Sequence, residues 1–270
     1  MKILPKTSNP SRFLIGLLII LCVAVSIGCA AKAKDNRDPA GSLLAKSIDY
    51  MKKTGSYHFK GTGFIKYPSL NERGTFAITG EYKNPASSHI ILEMTLGNAS
   101  YHAETFYRNQ VFYSLLQDSW TTTPFDPNIL LQPAYKPINL ILDQMEQVSA
   151  KPVFEEDVRV NGRFLRVIHA RSNLKKLKSL MQKEFDKAIS LEPERRQGIT
   201  SFLKNLTVEH DYILYVEPVS GIIERLQFNQ IVRLNLPTAP AESQLSINYT
   251  LNDFGADVTM PSVPAKTPMK

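Results

Sequence analysis

Between Ser56 and Leu116 the chain reads as five strand-like segments in a row, and that run limits the possible fold more than any other feature. Residues 56–67, 74–82, 88–96, 100–107 and 110–116 are rich in β-branched and aromatic side chains. Turn signals separate them at Pro68-Ser69, Lys83-Asn84-Pro85, Gly97-Asn98 and Arg108-Asn109. Much of the run alternates at period two. In the third segment Ile90, Leu92, Met94 and Leu96 share one face, so that face is expected to be buried. Strands this close in sequence predict an antiparallel meander.

The rest of the chain adds helices and more strands. Residues 42–54 predict a helix, with Leu43, Leu44, Ser47, Ile48 and Met51 on one stripe and Gly55 as its stop. Residues 121–137 hold Pro124, Pro127, Pro133 and Pro137 and read as a long connection. Pro137 opens a second helix whose stripe is Ile138, Ile141, Leu142, Met145 and Val148. Strands at 153–160 and 163–170 are joined by Asn161-Gly162, the strongest short hairpin signal in the chain. Residues 173–191 are amphipathic: Leu174, Leu177, Leu180, Met181, Phe185 and Ile189 face one way, and five lysines mostly the other. That basic face has two readings, a surface near anionic headgroups or an ordinary solvated side. A short helix from Pro193, three strands at 207–217, 222–234 and 244–251, and a loose tail complete the pattern. The expectation is one α+β domain of about ten strands and a few helices.

The N-terminus sets the compartment. An apolar run of 16 residues, Phe13 to Gly28, follows Lys2, Lys6 and Arg12. At 1.5 Å per residue it spans roughly 24 Å, short of the roughly 30 Å hydrocarbon core. A basic start, a short apolar stretch and small residues are the pattern of an export signal. Ser26-Ile27-Gly28-Cys29 has the form of a bacterial lipobox, although Ser26 stands where leucine is usual. The alternative is an uncleaved signal anchor. Cleavage before Cys29 leaves one cysteine on the mature chain, occupied by lipid, so neither a disulfide nor a cysteine-based metal site is expected. A diacylated residue suffices for stable anchorage. Removing the three signal cations lowers the formal charge from +7 to +4, which suits a protein beside an anionic membrane and is too small and dispersed for nucleic acid. The expected organisation is a signal peptide at 1–28, a flexible tether at 29–41, a single domain at 42–260 and a loose tail at 261–270.

Catalytic patterns are missing from the sequence. His58, His89, His102, His169 and His210 fall on separate strands with no metal-binding spacing. Glu155-Glu156-Asp157 reads as a solvated edge, and His210-Asp211 are strand neighbours that point to opposite faces. There is no G-x-S-x-G elbow or S-x-x-K. Neither enzyme activity nor a cofactor is expected.

Several motifs together resemble a known family. They are the lipobox, the lead helix, Phe59-Lys-Gly-Thr-Gly-Phe64, and Tyr107-Arg-Asn-Gln-Val-Phe-Tyr113 ending near Trp120. Later come residues 215–225, from Tyr-Val-Glu-Pro to Ile-Glu-Arg, and 252–261, beginning Asn-Asp-Phe-Gly. The pattern is similar to the LolA/LolB-like superfamily, and within it to LppX/LprG-type and related Gram-positive lipoproteins. That resemblance implies a strongly curved antiparallel sheet, a half-barrel, closed by helices on its concave face around an apolar cavity. It also implies an exported lipoprotein on the outer face of the cell membrane, carrying a lipid or acylated molecule. The alternative use of the scaffold is a regulatory or assembly lipoprotein that grips an envelope protein partner. Aromatic and methionine side chains suit an adaptable apolar wall. Candidate cavity residues are Phe59, Phe76, Ile78, Leu92 and Met94 on the sheet, with Ile141, Leu142 and Met145 on the second helix. Pattern alone does not separate a cavity wall from a filled core.

Overall fold

The computed structural model describes residues 38–68, 71–84, 87–108, 111–116, 119–123, 134, 136–188, 203–235 and 241–260. The opening run forms β1 (Ser56–Tyr67), β2 (Glu72–Lys83), β3 (Ser87–Leu96), β4 (Ala99–Arg108) and β5 (Val111–Leu116), and continues into β6 (Ser119–Thr123). β7 (Val153–Phe154), β8 (Val158–Val160) and β9 (Arg163–Arg171) follow, then β10 (Leu206–Val216), β11 (Ile223–Leu234) and β12 (Ala241–Asn252). Three helices are described: α1 (Pro39–Lys53), α2 (Ile138–Val148) and α3 (Leu174–Ala188).

All twelve strands belong to one open antiparallel sheet in the order β6-β5-β4-β3-β2-β1-β12-β11-β10-β9-β7, with β8 paired to β9 off this path. β1 to β6 form the expected meander. β12 then returns to lie between β1 and β11, with His58 opposite Asn252 and Thr250 opposite Arg225. The hairpin at Asn161-Gly162 forms as the turn chemistry requires, with φ of 51° and 78° at its two central residues.

Alternation along the strands sends one set of side chains to the helices. α1 supplies Leu44, Ile48 and Met51, α2 supplies Ile138, Ile141, Leu142 and Met145, and both join a single apolar cluster with β1, β2, β3, β10, β11 and β12. A second cluster joins Val148, Leu177 and Met181 to Leu203, Leu206, Val208 and Val232, so α3 covers the far ends of β10 and β11. Tyr57 of β1 donates its hydroxyl to Asn139, and Lys52 of α1 reaches Asp143 at 3.0 Å and Glu146 at 2.9 Å, which fastens α1 and α2 to each other and to the sheet.

Several boundaries differ from the sequence reading. α1 begins at Pro39, inside the stretch read as tether, because proline suits a first helical position. The strand expected at 153–160 breaks into β7 and β8 around Glu155-Glu156-Asp157, whose carboxylates turn outward to partners: Glu155 to His169 at 2.7 Å and Asp157 to Arg166 at 2.9 Å. β6 takes up residues 121–123 of the stretch read as a long connection. Leu174, placed on the apolar side of α3, is 41% exposed at its first position. The side chains of Phe185 and Ile189 lie outside the described residues, as do the export signal, most of the tether, the C-terminal tail and most of the helix expected after Pro193. No described helix is long and apolar enough to cross a membrane.

Candidate functional site

The helix-facing side of the sheet is organised in cross-strand rows. One row reads Tyr212, Phe228, Ile247, Gly63, Phe76, Met94 and Tyr101 across β10, β11, β12, β1, β2, β3 and β4. The adjacent row reads His210, Gln230, Leu245, Ile65, Gly74 and Leu96. Large side chains alternate with glycine on this face. The Phe59 ring lies across Gly80, the Phe76 ring across Gly63 and the Tyr249 ring across Gly61, each so close that an added Cβ would meet ring atoms at 2.2 to 2.9 Å. The glycines of the Lys-Gly-Thr-Gly motif therefore serve as floors for aromatic rings from neighbouring strands.

All eight candidate wall residues face this interior. Phe59, Phe76, Ile78 and Leu92 are buried in the first cluster beside Ile141, Leu142 and Met145, while Met94 is half-buried and packs against it. Toward the β1–β4 end the same wall continues through Ile65, Leu96 and Tyr101, all half-buried. Ile65 and Tyr101 are additions that the sequence reading missed; two-residue spacing from Phe59 and Gly63 would have placed Ile65 there. Phe59 also borders a cleft on the sheet. That cleft, of about 320 Å³, lies over His58, Lys60, Glu81 and His89; another, of about 430 Å³, lies between Tyr50, Lys53 and Phe254.

Where the two apolar clusters meet, the wall turns polar. His210 and Gln230 are paired residues on β10 and β11, and each is 2% exposed. The Gln230 side-chain nitrogen lies 2.9 Å from His210 Nε2. An amide nitrogen only donates, so Nε2 accepts and the ring proton sits on Nδ1, 3.0 Å from the Tyr212 hydroxyl. Burial, and then the nearby positive charge of Lys136, pushes the His210 pKa down to about 3, so the ring is neutral. Lys136, 6% exposed, precedes α2 and donates to Gln144 Oε1 at 3.3 Å. Gln144 is 7% exposed on the same side of α2 as Ile141 and Met145, and its Nε2 has no partner.

The other histidines lie on the opposite face, each against a carboxylate. His58 meets Asp253 at 3.3 Å, His89 meets Glu104 at 2.9 Å and His102 meets Glu93 at 2.6 Å, while His169 sits between Glu155 and Asp211. Among the described residues no group of three or more His, Cys, Asp or Glu is placed to hold a metal ion. His210 faces inward and Asp211 outward, as adjacent strand positions must.

No protein-family model and no curated protein sequence matches the chain. The architecture is an open antiparallel sheet with helices packed on one face. Solved structures similar to it include LprF from Mycobacterium bovis, at 12% identity and a TM-score of 0.42 over 83% of this chain and 96% of that one. The lipoprotein LppX from Mycobacterium tuberculosis is similar at 14% identity and a TM-score of 0.43, over 83% and 99% of the two chains. A LolA superfamily protein from Nitrosomonas europaea gives 7%, 0.33, 84% and 96% for the same quantities. These are likenesses of fold.

Proposed function

We propose that the chain is an exported lipoprotein, held at the outer face of a bacterial membrane through Cys29, that binds a lipid or acylated molecule between its sheet and helices. The observation that supports ligand binding is the continuity of the apolar wall. It runs from the buried residues Phe59, Ile78, Leu92, Leu142 and Met145 to the half-buried Met94, Leu96, Ile65 and Tyr101 without changing face. An apolar surface that passes from closed to half-open gives an acyl chain an entrance and a place to lie. No reacting group is needed, because burial of the chain supplies the affinity.

The test is extraction of the full-length protein from bacterial membranes, followed by native mass spectrometry and organic extraction. Wild type is expected to carry lipid, and Met94→Asp, which places a charge at the half-open end, is expected to carry at least several-fold less. Wild-type protein free of lipid, or equal loading of the variant, would remove the proposal. A specific crosslinked protein recovered in place of lipid would favour the partner-binding use of the scaffold. Labelling cells with a fatty-acid analogue reads the anchor separately. Label is expected on wild type and absent from Cys29→Ala, and label that survives the substitution refutes acylation at Cys29.

A further inference from the structure

Resting on the anchored-lipoprotein reading, we propose that the sheet margin formed by β7, β8 and β9, with the start of α3, is a docking surface for an anionic bilayer. It would seat the domain on the membrane that holds Cys29. The strand order ends at β7, and among the described residues no strand lies beyond it. Four of the five large apolar side chains exposed among the described residues lie along this margin. They are Val153, Phe154, Phe164 and Leu174, each at least 37% exposed. Contacts join them into one ridge. Arg166 reaches the rings of both Phe154 and Phe164, at 5.2 and 5.7 Å. The Asn173 N–H donates to the Val148 carbonyl at 2.7 Å and Lys176 Nζ to the Ser149 carbonyl at 3.2 Å, which ties the start of α3 to the chain that enters β7.

The same margin gathers the charge. Residues 151–178 hold eight Lys or Arg and three Asp or Glu, a formal +5, whereas the whole chain after Gly28 carries +4. The positive excess of the chain therefore has one location. Three of the arginines are matched by carboxylates: Arg163 by Glu224 at 2.7 Å, Arg166 by Asp157 at 2.9 Å and Arg171 by Asp211 at 3.2 Å. With Glu224 and Asp211 counted against it, the margin stays positive. Arg159, Lys175 and Lys178 have no carboxylate partner among the described residues, and the first two are exposed. A cation near anionic headgroups strengthens attraction by about a factor of five, and exposed Phe and Leu beside it enter the interfacial layer. The anchor fits this placement. It leads into α1, which begins at Pro39 and packs beside β7, and the ten residue steps from Cys29 to Pro39 reach at most about 35 Å. So short a tether keeps this side of the sheet within reach of the bilayer.

The experiment uses the acylated protein extracted from bacterial membranes and reconstituted in vesicles of phosphatidylglycerol with phosphatidylcholine, or of phosphatidylcholine alone. A bimane fluorophore is attached to a cysteine introduced as Phe164→Cys or, at the exposed start of β4, as Ser100→Cys, and doxyl-labelled lipid is the quencher. In anionic vesicles quenching at position 164 is expected to exceed that at position 100 by about 3-fold or more. Neutral vesicles, about 0.5 M salt or the variant Arg159→Glu/Lys175→Glu/Lys178→Glu are each expected to erase that excess. The triple variant is expected to stay with the vesicles and to keep its co-purified lipid. Equal quenching at the two positions in anionic vesicles overturns the docking margin and leaves anchorage and ligand binding standing. An excess that persists on neutral lipid and in the triple variant overturns the anionic surface as its occupant. Shielding of the 164 label from aqueous iodide without quenching by doxyl lipid assigns the margin to a protein partner or a second copy, and overturns the proposal likewise. Protein without an introduced cysteine is expected to take no bimane, because Cys29 is acylated. Label on it overturns the anchor reading and this inference with it.

Discussion

Replacing Gly80 with alanine is expected to lower the stability of the domain by about 2–3 kcal/mol, read as a fall in denaturant midpoint at unchanged slope. The Cβ would stand 2.2 Å from Phe59 Cζ, 2.6 Å from Cε2 and 2.8 Å from the His89 carbonyl oxygen. The Phe59 ring is 1% exposed, edge-on to Tyr249 at 6.1 Å and tilted against Tyr57 at 6.2 Å, so it has little room to retreat. Phe59→Leu removes both ring atoms nearest the new methyl group. The double variant Gly80→Ala/Phe59→Leu is therefore expected to cost less than the sum of the singles by about 1 kcal/mol or more. Strict additivity would show that the ring and the glycine floor are independent, against the packing described.

Acid is expected to weaken the domain through His210. Its pKa is about 3 in the folded chain, against an ordinary value of 6.5. The unfolded state therefore binds more protons between those limits, and stability falls as pH falls through that window. The contribution is fully present above pH 6.5. Between pH 7 and pH 5 the loss attributable to this one ring is about 2 kcal/mol. His210→Gln is expected to remove that slope in denaturant titrations at the two pH values. The four outer-face histidines are common to both proteins and cancel in the difference. If His210→Gln loses as much stability between pH 7 and pH 5 as wild type does, burial of a neutral ring is not the cause of acid sensitivity.

Local features of the fold could be read from the residues; long-range ones could not. The inward face of β3 follows from Ile90, Leu92 and Met94 at period two, and α2 from its stripe after Pro137. β6 was missed because Ser119–Thr123 is mostly hydroxyl-bearing and runs into a proline-rich stretch that argues for a connection. The break between β7 and β8 was hidden because three acidic residues are compatible with an exposed strand edge. The five sheet candidates could be set on the inner face because strand parity is a local property, and Ile141, Leu142 and Met145 because helical spacing is another. Gln144 was passed over as a polar residue, although it lies three positions after Ile141 and so on the same helical face. The pairing of His210 with Gln230 depends on the register of two strands, and periodicity within either strand says nothing about register.

The place of β12 has a consequence for how the domain assembles. β1 through β6 form one wing from contiguous sequence, and β9 through β11 form another with β7 and β8 at its margin. The first wing is built from neighbour-to-neighbour hairpins, which close over short loops and form early, whereas β9 and β10 of the second are joined through residues 172–205, which include α3. The strand that unites them is the last of the described strands, and it takes a central position with partners on both edges. Synthesis of β12 is thus the event that joins the two wings into one continuous sheet. A break in the chain before Ala241 removes the keystone of the fold rather than trimming an edge.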